Sequence, residues 1–226
     1  MKIKFTDIMG ISKEYFVSPA IKNIPQWYID NPLYTSGKKE VQNGHNSHTI
    51  RKCMPVFDAM TAGYIIFTYV DIFISQQNGV PIFHWPKFNP IEFHNKNQLT
   101  HYPIDGEYPP PKFMNPWSIS TPKGYSCLFI SPMHNPNNFF SILPGIVDTD
   151  KYNLPVNFPF ILKDYNMEGV IPAGTPMAQV IPFKRDSFEM KTSSQFKNKF
   201  RKQETQLKSL WFNAYKKNFW NKKEYM

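Results

Sequence analysis

Cysteine is scarce in this chain, with only Cys53 and Cys127 among 226 residues. The two form no CxxC pair, so a disulfide-stapled fold is excluded, and each reads as a buried free thiol in a reducing compartment. Glycine is also low, at 10 against 21 prolines. That balance argues against long helices over most of the chain and for short strands joined by proline-stiffened loops. Met1 to Gly10 lacks the apolar run of a secretory leader. The longest apolar stretch, Ala62 to Ser75, is interrupted by Thr68 and Asp71 and is too short for a bilayer. A soluble intracellular protein with no membrane partner is expected. Beyond Pro182 both glycine and proline are absent, and that end needs a separate reading.

What the chain has is aromatic bulk. Hydrophobic residues make up 41%, with 20 Phe, 12 Tyr and 5 Trp, enough for a sizeable core of β-favouring material. The net charge of +9 is unevenly placed. Residues 184–226 hold 12 Lys/Arg and 4 Asp/Glu, while the preceding 183 residues hold 14 and 13. The basic character therefore belongs to the C-terminal segment.

Met1 to Phe5 alternates as an edge strand would. Ala20 to Asp30 places Ile21, Ile24, Trp27 and Tyr28 at the spacing of a short helix, interrupted at Pro25 or starting there. Residues 36–48 read as a solvated loop. Cys53 to Ile74 carries the strongest β signal of the first half, with strands at Gly63–Tyr69 and Asp71–Ile74. Asn78-Gly79 turns the chain into Val80–Trp85. Residues 86–116 read as a long Pro/Asn/His-rich connection. Strands are expected again at Trp117–Ser120, Tyr125–Ile130, Phe139–Val147, Val156–Leu162 and Met177–Phe183.

From Asp186 onward Phe196, Phe200, Leu207, Leu210, Trp211, Ala214, Tyr215 and Phe219 recur at helical spacings among Lys, Arg, Gln and Asn. This predicts one amphipathic helix of roughly 25–30 residues. The domain reading is a β core over 1–185 and a basic helix over 186–226. That helix can pack on the core, dock on a partner subunit, or bind nucleic acid. In the last case Lys197, Lys199, Arg201, Lys202 and Lys208 would meet phosphate with Lys216 and Lys217, and Trp211, Tyr215, Phe219 or Trp220 would stack on a base.

Three segments carry a resemblance. Gly145-Ile146-Val147-Asp148-Thr149-Asp150, Gly174-Thr175-Pro176-Met177-Ala178-Gln179 and Ala62-Gly63-Tyr64-Ile65-Ile66 resemble motifs of the deoxyuridine triphosphatase and deoxycytidine triphosphate deaminase superfamily. The resemblance implies a β-clip or jelly-roll-like double sheet, often trimeric. It also implies a nucleotide pocket in which Asp148 and Asp150, Tyr152, Gly174 and Gln179 would take part. The tyrosine comes one residue late, after Lys151. Pro176 stands where that family has arginine, and Ile65 where it has a metal-associated carboxylate. Ser131-Pro132-Met133-His134 lacks the arginine of the phosphate clamp, and no glycine-rich arm ends the chain. Between Trp117 and Ile181 only Lys123, Lys151, Lys163 and His134 are basic, too few for a triphosphate without metal or backbone help. A second resemblance, carried by Ile24-Pro25-Gln26-Trp27-Tyr28 and Asp58-Ala59-Met60-Thr61-Ala62-Gly63-Tyr64, is to a family encoded by tailed phages of marine bacteria. It implies a viral source, in host cytoplasm or virion, and no particular activity.

Other chemistry is thinner. Asp148 and Asp150 alternate, so both face one way, as a catalytic pair or as turn caps. His84, Glu92, His94 and His101 fall within 18 residues, the ligand types of a mononuclear iron or zinc site, but at spacings of no compact motif. The expectation is a non-enzymatic accessory or structural protein without a cofactor, which binds a protein partner or self-assembles. The alternatives are a nucleotide-binding protein of the same fold and a metal-dependent jelly-roll enzyme.

Overall fold

Short strands dominate, as the proline content requires. The computed structural model describes residues 1–11, 17–42, 45–95, 98, 110–193, 198–209 and 213–226. In chain order the strands are β1 (Lys4–Asp7), β2 (Ser18–Pro19), β3 (Val41–Gln42), β4 (His45–Asn46), β5 (Tyr64–Phe67), β6 (Ile72–Gln77), β7 (Val80–His84) and β8 (Ile91–Phe93). They continue with β9 (Pro111–Phe113), β10 (Trp117–Ser120), β11 (Tyr125–Ile130), β12 (Phe140–Ile142), β13 (Gly145–Val147), β14 (Phe158–Leu162), β15 (Gly169–Ile171) and β16 (Pro176–Lys184). The α-helices are α1 (Gln26–Asp30), α2 (Met54–Thr61), α3 (Asn198–Ser209) and α4 (Ala214–Asn218).

All strand pairings among the described residues are antiparallel. The largest sheet runs β13-β11-β16-β5-β2, and a second runs β12-β14-β9-β8. A third runs β15-β6-β7, with two-stranded pairs β1-β10 and β3-β4 beside them. The β6–β7 hairpin closes through Asn78 (φ 52°) and Gly79 (φ 76°), the pair of positive angles that a two-residue hairpin needs.

One apolar core joins the sheets. Phe113 stacks on Phe160 with centroids 3.9 Å apart, and Phe140 meets both. Phe129 of β11 reaches Phe158 of β14 at 5.6 Å, which ties the largest sheet to the second. Gly63 enters β5 at φ +68°, where a Cβ would lie 1.9 Å from the Val180 carbonyl oxygen. Only glycine lets α2 run so closely into the sheet.

Several expectations need correction. Met54–Thr61 is helical rather than part of a β region. Pro55 sits in its first turn, and Val56, Phe57, Ala59 and Met60 suit a helix face as well as a strand. Residues 86–116 hold β8 and β9, paired at Ile91↔Phe113. Phe139–Val147 is two strands in different sheets, split at Leu143-Pro144. The loop at 36–48 contains the β3–β4 pair. Near Pro25 a 3-10 turn (Ala20–Asn23) gives way to α1, which starts directly after that proline.

The single long C-terminal helix is not what forms. The described part is α3, of 12 residues, and α4, of 5. Asn213 stands before α4 in the left-handed conformation (φ 64°), which breaks helical continuity at a residue type that tolerates it.

Candidate functional site

The acidic pair follows β13, and Arg185 follows β16. Because β11 lies between these strands, it brings both ends to one edge. There the Arg185 guanidinium grips Asp150 end-on, Nη1 to Oδ1 at 2.8 Å and Nη2 to Oδ2 at 2.5 Å. Nη1 also lies 3.1 Å from Asp148 Oδ1 and donates to the Tyr125 carbonyl and Ser126 Oγ, both at 3.0 Å. Asp150 further accepts from the Gly124 N–H at 2.8 Å, and Asp148 from the Ser126 hydroxyl at 2.7 Å. Between them, Thr149 Oγ1 pairs with Thr121 Oγ1 at 2.8 Å and donates to Cys127 Sγ at 3.3 Å.

The electrostatics follow from this clamp. The Ser126 hydroxyl and the Arg185 charge hold the Asp148 carboxyl below its ordinary value. Arg185 and the Gly124 N–H hold Asp150 well below the usual carboxylate range. Asp150 is 3% exposed and Asp148 50%, so the first is sealed and the second faces water. Burial pushes the Cys127 thiol up against the weaker opposing pull of the Thr149 bond, and an apolar, protonated thiol is a poor nucleophile.

Gln179 lies elsewhere. It is fully buried on β16, and its Oε1 accepts from the Met133 N–H at 2.8 Å. Its Nε2 donates to the Ala59 and Ala62 carbonyls at 2.9 and 2.7 Å. The side chain thus caps the end of α2 and ties it to the turn after β11. Asp148 bonds Ser126 while Gln179 sits opposite Ile130, four residues along β11, a separation of about 13 Å.

Gly174 (φ 81°) makes the turn into β16, its N–H bonded to the Thr68 carbonyl at 2.8 Å. It lines an open cavity of about 400 Å³ with Asn135, Asn137 and Pro172. Tyr152, 43% exposed, lines a different cavity, of about 480 Å³, together with Glu92. Of the five residues carried by the resemblance, Asp148 and Asp150 meet at Arg185, and Tyr152 joins them only through its backbone N–H, which bonds the Asp148 carbonyl at 2.9 Å.

The metal candidates are scattered among other partners. His84 Nε2 lies 3.2 Å from Ser75 Oγ, Glu92 pairs with Lys112 at 3.1 Å, and His94 Nδ1 lies 2.8 Å from the Pro110 carbonyl. His101 is outside the described residues. Among the described residues no group of three His, Cys, Asp or Glu could hold a metal ion.

At the C-terminal end Lys197 and Trp211 are outside the described residues. Lys199, Arg201, Lys202 and Lys208 lie on α3, and Lys216 and Lys217 on α4. The docked aromatic is Trp220. Its indole N–H reaches both Asp58 carboxylate oxygens at 2.9 Å. Lys216 and Lys223 each lie 5.6 Å over its ring. Sequence reasoning missed Arg185 and Asp58. The one signal for Arg185 was its place as the first arginine beyond a stretch with almost no cations.

No family model matches the chain, and no curated protein matches it. Among solved structures it is similar to a mutant dUTPase from phage phi11 of S. aureus, at 11% identity over 88% of this chain and 100% of that one, with a TM-score of 0.39. It is also similar to a mutant dUTPase of Staphylococcus bacteriophage 80alpha with dUpNHpp. There the identity is 11% over 87% and 90% of the two chains, with a TM-score of 0.37. The β-rich, antiparallel architecture rests on the strand pairing described above, and among the described residues no helix is long and apolar enough to cross a membrane.

Proposed function

We propose that this chain is a non-catalytic binding protein, an accessory or structural component in which a jelly-roll-like β scaffold over 1–185 presents a basic C-terminal segment over 186–226. The observation that carries this reading is the closure of Arg185 on Asp148 and Asp150. A carboxylate that is to position water or a metal needs free lone pairs facing a cleft. Here the carboxylate of Asp150 is sealed by a bidentate cation, and that of Asp148, which faces water, is tied at Oδ1 to the same cation and to a serine. The binding element is the segment after β16, where Phe188 is 92% and Met190 88% exposed. Apolar side chains this open suit contact with a protein partner or a second copy.

The test is pyrophosphate release from dUTP and dCTP with Mg²⁺ by the purified chain, with light scattering on the same sample. We expect no release above the protein-free control, and self-association that weakens in Phe188→Ser/Met190→Ser. Turnover that vanishes in Asp148→Asn would overturn the reading.

A further inference from the structure

The cavity beside Tyr152 has about 480 Å³, within the range of small-molecule sites. Its apolar wall is Ile8, Met9, Met114 and Leu154. Its walls are held by bonds that owe nothing to a ligand. The Asp7 carboxylate accepts from the N–H groups of Met9 and Gly10, both at 2.9 Å, and the Met114 N–H bonds the Pro90 carbonyl at 2.9 Å. The Tyr69 hydroxyl donates to the Asn89 carbonyl at 3.2 Å, and Ser118 Oγ donates to the Asn153 carbonyl at 2.6 Å. Such a site is preorganised, and little ordering cost opposes binding.

Its polar groups have spare capacity. Asn157 Oδ1 accepts from the Asn115 N–H at 3.1 Å, which leaves the amide nitrogen over. Glu92 bonds Lys112 through Oε2, which leaves Oε1. Among the described residues the Asn89 amide and the Tyr152 hydroxyl have no partner. The residues that line the cavity therefore offer both donors and acceptors. The lining contains one carboxylate, Glu92, which is already paired with Lys112 outside the lining, and no Lys, Arg or His, so the wall offers an anionic ligand no cation of its own.

We propose that this cavity is a binding site for a neutral planar aromatic carboxamide. The ring lies against Met9, Met114 and Leu154, where thioether–aromatic contact is favourable. The amide edge pairs with Asn89, Asn157 and Glu92. The site is separate from the Asp148–Arg185 clamp and independent of the non-catalytic reading.

The experiment uses the full chain with ¹³C-methyl methionine, titrated with benzamide and, separately, with benzoate, its anionic counterpart of the same shape. Of the ten methionine resonances, those of Met9 and Met114 should shift saturably with benzamide, and benzoate should bind at least about tenfold more weakly. Leu154→Trp, at a position open to solvent, should fill the mouth and abolish the shifts, with the other eight resonances unchanged as the check on folding. Equal response to benzoate, shifts spread over all methionines, or no shift up to the solubility of benzamide would overturn the proposal.

Discussion

Gln179 shows how one side chain can look functional in sequence and be structural in space. The resemblance of its segment to the triphosphatase superfamily implied a place in a nucleotide pocket. Burial decides otherwise, because a fully buried amide needs its own partners, and it finds three in the backbone. Gln179→Leu keeps the volume and strands the Met133 N–H and two carbonyls, each at about 1–3 kcal/mol. Urea unfolding should show a large loss. Asp148 and Asp150 were legible in sequence as a pair facing one way. Their partner was not, since Arg185 lies 35 positions beyond Asp150, at the last position of the stretch read as the β core. Ion pairs of this range depend on strand order, which local pattern does not carry.

Elements were readable where backbone sterics act locally. Asn78-Gly79 could be placed because a two-residue hairpin demands positive φ, and Pro25 because it favours a helix start. The helix α2 was hidden because its apolar residues satisfy either periodicity. The strands β8 and β9 have three residues each, too few to show alternation, and only their pairing defines them. The junction of α2 with β5 is the tightest approach described. Gly63→Ala adds a methyl against the Val180 carbonyl at a φ that L residues avoid, so a loss of about 3 kcal/mol or more is expected. Thermal unfolding checks it, and a near-neutral result would mean that the junction relaxes.

At the scale of the molecule, the C-terminal segment returns to the body instead of projecting as one helix. Trp220 and Lys223 share Asp58, and Tyr225 meets Tyr64 edge-on at 6.1 Å. This contact is small beside the aromatic core, so it should open locally before the sheets do. Trp220→Ala should remove about 2 kcal/mol of docking and speed hydrogen exchange over 213–226, with protection in β11 and β16 unchanged. Exchange that rises across those strands as well would show that the segment is integral to the core.

The Asp150–Arg185 clamp remains the point on which the non-catalytic reading turns. Both aspartates have folded-state pKa values below their ordinary ones. Their contribution is therefore fully present above the unfolded value, about 3.9, and is lost as pH falls toward the folded one. The decisive measurement is urea unfolding of the native chain, Asp150→Asn, Arg185→Met and the double variant, at pH 7 and again at pH 2.5. We predict that each single change destabilises at pH 7, that the double change costs less than the sum, and that the native chain's advantage over Asp150→Asn narrows at pH 2.5. If Asp150→Asn instead matches or exceeds native stability at pH 7, as removal of a strained functional acid often does, the clamp is not structural and the account fails.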